Sequence, residues 1–373
     1  MEKTGPKTEL RRGWTTGSCA TAAARAAFHA LHRGDFPDPV TIALPSGDRV
    51  AFSLAMHDLG EGFARAGIVK DAGDDPDATH GALIITKVTR NAPGAGIAYR
   101  AGEGVGTVTL PGLPLPPGEP AINPVPRAMI AQAIQEEAQA LGVPADAVVE
   151  IAIPDGEAIA RKTMNPRLGI IGGLSILGTR GIVIPFSCAA WIHSIHRGVD
   201  VARAAGIDHV AGSTGNTSER AIAALDDLPE IALMDMGDFV GGMLKYIRKH
   251  PIPRVTIAGG FAKMVKLSQG LIDLHSRSGS VDLVHLARLA GEAGASDELV
   301  AAIPQMNSAL EALQRADAEG IDIAGIVAAH AVKTAARLVR DTDIGVDVAI
   351  FDREGKLRAR TPITTAANVT AIA

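Results

Sequence analysis

Three consecutive segments after residue 205 share one pattern, and this repetition constrains the fold more than any other feature. Each starts with a short apolar run, continues through a glycine-rich turn and ends with helical spacing. Strands joined through helices in this way run parallel in one sheet, because each helix returns the chain to the end of the sheet where the previous strand began. The segments are GIDHVAGSTGNTSERAIAAL (206–225), EIALMDMGDFVGGMLKYIRKH (230–250) and RVTIAGGFAKMVKLSQG (254–270).

The first half of the chain has a different pattern. An alanine-rich helix near 18–31 precedes β-like runs at 40–44, 49–56 and 63–70, and a strand at 82–90 follows. Glycine and proline then crowd the chain up to a second helix that begins near Pro126 and ends before Gly142, and another strand follows it.

The sequence therefore predicts two domains of different class. Residues 1–190 are expected to form an α+β domain, and residues 191–373 a Rossmann-like parallel α/β domain. The second domain is expected to end with three helices and a hairpin, the helices lying near 282–294, 305–318 and 321–340.

Composition limits the classes of binding partner and the cellular compartment that we expect for this protein. The net charge of −5 and the 3% aromatic content give no general attraction to nucleic acid or anionic membranes. Cys19 and Cys188 lie too far apart for a zinc motif or a disulfide framework, which favours a reducing cytoplasm. The apolar stretch 169–192 contains five glycines, Pro185 and Arg180, so we expect buried glycine-rich backbone in a soluble core rather than a membrane span.

The opening stretch GWTTGSCATAAARAA (13–27) brings hydroxyl groups to the start of a helix. Thr15, Thr16 and Ser18 either cap this helix or, with its unpaired N–H groups, bind a carboxylate or phosphate. Cys19 has no basic partner in the sequence and is predicted to be a packing residue rather than a nucleophile.

The segment DAGDDPDATHG (71–81) concentrates carboxylates beside one histidine. Asp71, Asp75 and their neighbours could bind Mg²⁺, provide a general base or form a solvated acidic turn. His80 is the most informative residue of the loop, since a histidine near carboxylates can accept a proton close to neutral pH.

Three further motifs have two interpretations each. The glycines of 164–185 either let the backbone approach a ligand or form a tight bend. The turn VAGSTGNTSER (210–220) and Asp235 follow successive strands, where an adenosine-bearing cofactor would bind, although Asp235 could instead cap a helix. Lys263 and Lys266, one helical turn apart, pair with substrate carboxylates or form a solvated face. His193 and His196 favour a helix surface over a metal pair, so no metal site is predicted.

Taken together, four long motifs in order resemble the CbiD family of cobalt-precorrin-5B C1-methyltransferases over nearly the whole chain. They are GWTTGSCATAAARAA, DAGDDPDATHG, NPRLGIIGGLSILGTRGIVIP and AGGFAKMVKLSQGLIDLHS. The last motif departs from the family pattern, which has a histidine where this chain reads Gly259-Gly260-Phe261-Ala262-Lys263.

The resemblance implies methyl transfer from S-adenosyl-L-methionine to C1 of cobalt-precorrin-5B, giving cobalt-precorrin-6A, a step of the anaerobic route to cobalamin (vitamin B12). Cobalt then belongs to the corrinoid substrate and is not a cofactor. A homo-oligomer is compatible with the sequence, whereas nucleic-acid or membrane partners are not expected.

Each motif acquires a role under this resemblance. The multiple carboxylates of the substrate call for hydroxyls, helix N-termini and basic side chains around it. His80 and Asp75 are the candidate proton acceptors. The substrate is expected to meet Thr15, Thr16, Ser18, Asp71, Arg167, Lys263 and Lys266. The cofactor is expected to meet Ser213, Thr214, Gly215, Asn216, Thr217, Glu219, Asp235 and Gly237.

Two other functions compete with this one. A phosphotransferase would use the Asp71–Asp77 carboxylates for Mg²⁺ and the Thr-Thr-Gly-Ser turn for phosphate, but the chain has no G-x-x-x-x-G-K-[ST] loop. A non-catalytic corrinoid carrier would bind cobalt through a histidine and would not need an adenosine site.

Overall fold

The computed structural model describes residues 10–369 and is a mixed α/β structure with both parallel and antiparallel strand pairs. By its internal contacts the chain divides into two compact units, which meet in sequence at Cys188 and Ala189. Each unit is described by itself below.

The first unit consists of short strands and two long helices. Its helices are α1 (Thr16–Arg33), α2 (Pro124–Leu141) and α3 (Gly156–Ala160). Its strands are β1 (Gly13–Trp14), β2 (Val40–Ala43), β3 (Arg49–Phe52), β4 (Met56–Gly60), β5 (Phe63–Val69), β6 (Leu83–Arg90), β7 (Ile97–Ala101), β8 (Thr107–Val108), β9 (Ala147–Ala152), β10 (Ile170–Ile171) and β11 (Ile182–Val183).

Helix α1 is the centre of the first core. Thr15 caps its first turn, and Gly34 ends it in the left-handed conformation that glycine adopts without steric cost. All seven alanines of α1 are buried, so its backbone packs closely on α2 and on strands β5 and β6. These strands belong to a five-stranded sheet in the order β4-β5-β6-β9-β7, antiparallel except for the β7–β9 pair.

The expectation that residues 169–192 form buried glycine-rich backbone holds for only part of the stretch, such as residues 173–176. Leu177 and Phe186 are exposed, and α4 of the second unit begins within the stretch at Cys188. The glycines here make turns and backbone crossings: Gly178 has a positive φ, and a Cβ on Gly173 would lie 2.2 Å from the backbone of Gly104. No helix among the described residues is long and apolar enough to cross a membrane.

The second unit alternates strands and helices. Its helices are α4 (Cys188–Ala204), α5 (Asn216–Asp226), α6 (Val240–Lys249), α7 (Phe261–Ser268), α8 (Leu283–Glu292), α9 (Asp297–Ala302), α10 (Ala309–Ala318) and α11 (Ile323–Leu338). Its strands are β12 (His209–Ser213), β13 (Leu233–Asp235), β14 (Arg254–Gly260), β15 (Gly345–Phe351) and β16 (Leu357–Arg360).

The three repeated segments form the strand–turn–helix units that their pattern predicts. Strands β13, β12, β14 and β15 are neighbours in this order and run parallel, and β16 adds an antiparallel edge through the predicted C-terminal hairpin. A large apolar core joins one face of the sheet to α6, α7 and α11, while α5 packs on the other face. The carboxyl ends of β12, β13 and β14 therefore lie along one edge of the sheet.

Candidate active site

The opening turn is held by two other parts of the first unit that are distant in sequence. The N–H of Trp14 donates to the carbonyl of Asp71 over 2.7 Å, and the N–H of Thr15 donates to Gly181 over 3.1 Å. Strand β1 also pairs with β11. Three of the four motifs of the family resemblance thus meet at the start of α1.

The hydroxyl groups of the turn have definite partners. Thr15 Oγ1 accepts the N–H of Ser18 at 3.2 Å, which is the capping interaction. Ser18 is fully buried, and its hydroxyl donates to the carbonyl of Gly181 at 2.6 Å. Thr16 is also buried, whereas Thr15 is half-buried. Thr15 is therefore the more accessible hydroxyl of the three.

Cys19 lies one turn into α1 and is completely buried. Burial raises the pKa of its thiol to about 12, so the thiolate is not formed near neutral pH. The prediction that Cys19 is a packing residue is confirmed.

The acidic loop uses its carboxylates to bind groups of the protein itself. Arg11 forms a bidentate ion pair with Asp71. Hydrogen bonds from Arg11 and from the backbone N–H of Gly73 lower the pKa of Asp71 to about 2. Asp77 binds Lys70, which is almost fully buried. Burial alone would raise the pKa of Asp77, but the charge and hydrogen bond of Lys70 outweigh it and lower the pKa overall.

Lys70 is a residue that the motif analysis did not select. Its amine binds Asp77 and also donates to Thr79 Oγ1 at 2.7 Å, fixing the end of the loop to β5. The signal in the sequence is a lysine directly after an apolar strand, which indicates a buried partner for its charge.

The two candidate proton acceptors make different contacts. Nδ1 of His80 accepts the N–H of Ala72 at 3.1 Å, so the neutral ring carries its proton on Nε2 and offers a donor. Asp75 accepts the N–H of Phe186 at 2.8 Å. Phe186 is 65% exposed and has a positive φ of 55°, an uncommon conformation for an aromatic residue.

Arg167 lies apart from the opening turn in the chain, in a single 3-10 turn, Pro166–Leu168. This turn follows Asn165, whose side-chain oxygen accepts the hydroxyl of Ser175 at 2.8 Å. The loop that carries Arg167 is thereby tied to the glycine-rich segment.

In the second unit, the predicted cofactor residues gather at the carboxyl edge of the sheet. Ser213 and Asp235 are the last residues of β12 and β13 and pair in register. Helix α5 begins at Asn216, and its cap residue Gly215 supplies no side chain to the first N–H groups. Ser213 is 1% exposed, and its hydroxyl has no hydrogen-bond partner within residues 10–369.

The remaining predicted cofactor residues lie beside this edge. Thr214 contacts Gly259, where a Cβ would lie 2.7 Å from its Oγ1, and Thr217 and Glu219 lie on the first turn of α5. Gly237 has a positive φ of 54°, and its N–H donates to the carbonyl of Ser213 at 3.0 Å. These contacts bring the turns after β12 and β13 together with the carboxyl end of β14. A buried unpaired hydroxyl and an open helix N-terminus at a strand edge fit a nucleoside with an attached carboxylate.

The two predicted substrate lysines are engaged with neighbouring loops. Lys263 forms an ion pair with Asp238, which follows β13. Lys266 is buried and donates to the carbonyl of Leu274 at 3.0 Å, and Lys263 reaches the same carbonyl at 3.3 Å. Their amines therefore hold the loop after β13 and the loop after α7.

The histidine pair belongs to a surface of α4 and α6. The ring of His196 stacks on Tyr246 with centroids 3.9 Å apart, and His193 is exposed on the same helix. Within residues 10–369, no three His, Cys, Asp or Glu side chains are grouped so that they could hold a metal ion.

Comparison with known proteins gives consistent matches. The family model CbiD matches residues 3–185, and the model "CbiD, C-terminal domain" matches residues 273–362. A solved structure is also similar: the crystal structure of cobalamin biosynthesis protein (cbiD) from Archaeoglobus fulgidus, 28% identical, covers 72% of this chain and 83% of its own with a TM-score of 0.40.

Curated relatives match almost the full length. A protein of Bradyrhizobium sp. is 63% identical over 94% of this chain and 93% of its own. A protein of Agrobacterium fabrum is 62% identical over 95% and 94%, and one of Methylorubrum extorquens is 62% identical over 94% and 97%. All three are named cobalt-precorrin-5B C(1)-methyltransferase. At this identity and coverage, the chain belongs to the CbiD family.

Proposed function

We propose that this protein transfers the methyl group of S-adenosyl-L-methionine to C1 of cobalt-precorrin-5B, giving cobalt-precorrin-6A in cobalamin biosynthesis. The observation that carries the proposal is the 62–63% identity, over at least 94% of the chain, to relatives with this named activity. No observation favours a phosphotransferase or a non-catalytic corrinoid carrier.

Methyl transfer from a sulfonium requires that the two reactants be aligned, and it does not require a nucleophilic side chain. The S–CH₃ bond of the sulfonium breaks and its electron pair stays on sulfur, while an enamine-like carbon of the macrocycle supplies the pair for the new C–C bond. Holding both reactants in line and excluding water contributes several kcal/mol, on the order of what intramolecular reactions gain, without a covalent intermediate. Cys19 agrees with such a mechanism, because burial raises the pKa of its thiol to about 12 and it is not a nucleophile near neutral pH.

The carboxyl edge of the second sheet supports cofactor binding there. The Asp235 carboxylate would hydrogen-bond the ribose hydroxyls, as acidic residues after a strand do in nucleoside-binding sheets. The N-terminus of α5 and the Ser213 hydroxyl would take the methionine carboxylate. Thr214, Thr217, Glu219 and Gly237 would complete this surface.

The groups around the start of α1 support binding of the carboxylate-rich substrate. Thr15 is accessible beside the N-terminus of the helix, and the Nε2–H of His80 is a second donor. Arg167 would pair with a substrate carboxylate. Asp71 would act indirectly, because its pairing with Arg11 fixes the loop that presents His80.

If a proton must leave the macrocycle during the reaction, Asp75 is the better placed acceptor. Its carboxylate accepts the backbone N–H of Phe186 through one oxygen, whereas His80 already uses its basic nitrogen to bind Ala72. Lys263 and Lys266 are assigned to positioning, since their amines bind Asp238 and Leu274.

The two units are assigned different tasks under this proposal. Residues 1–190 would form a corrinoid-binding α+β domain, and residues 191–373 a Rossmann-like domain that binds S-adenosylmethionine. The parallel order β13-β12-β14-β15, with helices on both faces, supports the second assignment.

Calorimetric titration with S-adenosylhomocysteine tests the cofactor assignment. We expect micromolar binding to the wild type and at least tenfold weaker binding, about 1.4 kcal/mol, to Asp235→Asn. Asp341→Asn, on the surface of the same unit, is the matched control and should bind as the wild type does. Titrations are repeated with cobyrinic acid present, in case the corrinoid must bind first.

Turnover tests the reaction itself. Incubation with cobalt-precorrin-5B and S-adenosylmethionine carrying a deuterated methyl group should add one labelled methyl group to the corrinoid, detected by mass spectrometry. Absence of label in the corrinoid, with both ligands bound, would overturn the proposed reaction.

A further inference from the structure

Trp191 lies beside the carboxyl ends of the parallel strands of the second sheet, shortly after the glycine-rich segment 164–185 in the chain. It is on the first turn of α4, and its indole N–H donates to the carbonyl oxygen of Asp235 at 2.9 Å. The ring also covers Gly237, where a Cβ would lie 3.3 Å from the indole carbon Cζ2. Trp191 is thus attached to the end of β13 and to the turn after it.

The exposure of Trp191 needs an explanation. Its side chain is 47% exposed, although aromatic residues make up only 3% of the chain and Trp14 packs against Phe52. The hydrogen bond to Asp235 already satisfies the polar atom of the indole, so what remains in water is apolar ring surface. Exposed apolar surface next to converging polar groups is typical of a ligand site.

The position of the Trp191 ring indicates which part of the proposed cofactor it would contact. In the proposed function, on which this inference rests, the Asp235 carboxylate binds the ribose, and the adenine is bonded to that same ribose. The nearby ring of Phe239, 6.4 Å away between centroids, packs against the apolar core instead. Trp191 has the exposed ring surface that a nucleobase could cover.

We propose that Trp191 stacks on the adenine of S-adenosylmethionine and is oriented for this by its hydrogen bond to the Asp235 carbonyl. Stacking of a base on an aromatic side chain is strong enough to change affinity by about tenfold or more when the ring is removed. The indole would therefore set much of the affinity for the adenosine part of the ligand, while α5 and Ser213 act on its other end.

The test uses the fact that the chain has two tryptophans. In a Trp14→Phe background, which retains a ring against Phe52, Trp191 is the sole indole fluorophore. We expect its emission to change on addition of S-adenosylhomocysteine and equally on addition of methylthioadenosine, which has the adenine but no carboxylate. Calorimetry with the same two probes should show about tenfold or greater weakening for Trp191→Ala.

Trp191→Phe separates stacking from support of the strand end. Phenylalanine keeps an aromatic face but has no N–H for Asp235, so a stacking role predicts affinity close to that of the wild type. Equal losses for the Phe and Ala variants would mean that only the hydrogen bond matters and would overturn the proposal. So would unchanged affinity in Trp191→Ala.

These outcomes separate the inference from the proposed function. If the wild type binds S-adenosylhomocysteine but Trp191 does not respond, the stacking role fails and the cofactor assignment stands. If the wild type binds neither probe, with or without cobyrinic acid, the cofactor assignment fails and the stacking role fails with it. A response of Trp191 to cobyrinic acid alone would place the ring against the macrocycle and would also overturn the proposal.

Discussion

Arg360 holds Asp226 with two hydrogen bonds of 2.6 Å each, one from either terminal nitrogen of the guanidinium. The same side chain donates from Nε to Asp347, which is completely buried in β15, over 2.8 Å. Arg254 also approaches Asp347, at 3.3 Å. The pairs join α5, β14, β15 and β16 near the start of β14, at the sheet end opposite the candidate cofactor edge.

Removing Arg360 should destabilise the protein strongly. Arg360→Met leaves the buried Asp347 with weaker partners, and breaking a buried pair costs about 3–5 kcal/mol. Arg248→Met is a matched control, since Arg248 pairs with Asp341 at the surface, and should cost less than about 1 kcal/mol. Urea denaturation measures both. Equal losses in the two variants would contradict the role given to this network.

Gly73 is expected to tolerate no side chain. It has a positive φ of 68°, and a Cβ would lie 2.1 Å from the carbonyl oxygen of Arg11, so Gly73→Ala must separate the acidic loop from the opening strand. Gly81→Ala, in the same loop, has a similar φ of 79° but open space around it. We expect Gly81→Ala to cost about 1 kcal/mol, from backbone strain, and Gly73→Ala clearly more. Thermal unfolding of both variants decides; a smaller loss in Gly73→Ala would count against this contact.

Stability should fall as the pH is lowered from about 7 towards 5. Burial lowers the pKa of several histidines below their ordinary value of 6.5: His32, His193, His196, His209, His285 and His330. Below pH 6.5 the unfolded chain binds more protons than the folded chain does. The free energy of unfolding therefore decreases until the histidines of the folded chain also become protonated. Above pH 6.5 this contribution is fully present.

Calorimetric melting between pH 5.5 and 7.5 measures this dependence. His209→Gln, which keeps a polar group facing Thr256, should reduce the slope of Tm against pH. A Tm that rises on acidification over this interval would show that these six histidines are not the controlling groups.

The two cysteines should differ in reactivity. Cys188 is exposed at the start of α4, whereas Cys19 is buried with a raised thiol pKa. Ellman's reagent should therefore label one thiol in the folded protein and two in urea, and Cys188→Ser should abolish the native reaction. Rapid native labelling of Cys188→Ser would mean that α1 opens far more readily than its packing indicates.

The strands of the second unit could be predicted because each combines a short apolar run with a glycine turn and a following helix. Strand β4 was not separated from the run at 49–56, since His57 and Asp58 interrupt the apolar pattern on an exposed hairpin. The start of α4 could not be predicted either. Its first turn, which contains Trp191, is exposed and follows a glycine-rich stretch without helical periodicity.

Candidate site residues could be selected from sequence, but their contacts could not. Arg11 and Asp71 are 60 residues apart, and Ser18 and Gly181 are 163 apart, so nothing local indicates that they meet. The hydrogen bond that fixes the proton of His80 and the pairing of Lys263 with Asp238 likewise depend on tertiary folding. Residue type predicts which groups can act, whereas these contacts decide what each is free to do.

The alanines of α1 also bear on conformational entropy. An alanine has no side-chain rotamers to lose on burial, whereas leucine or methionine gives up about 0.5–2 kcal/mol of such freedom. All seven alanines of this helix are buried, so these seven positions add no side-chain ordering cost to that of the backbone. The alanine positions of the helix that presents Thr15 are therefore ordered at a lower entropic cost than leucine or methionine would incur there.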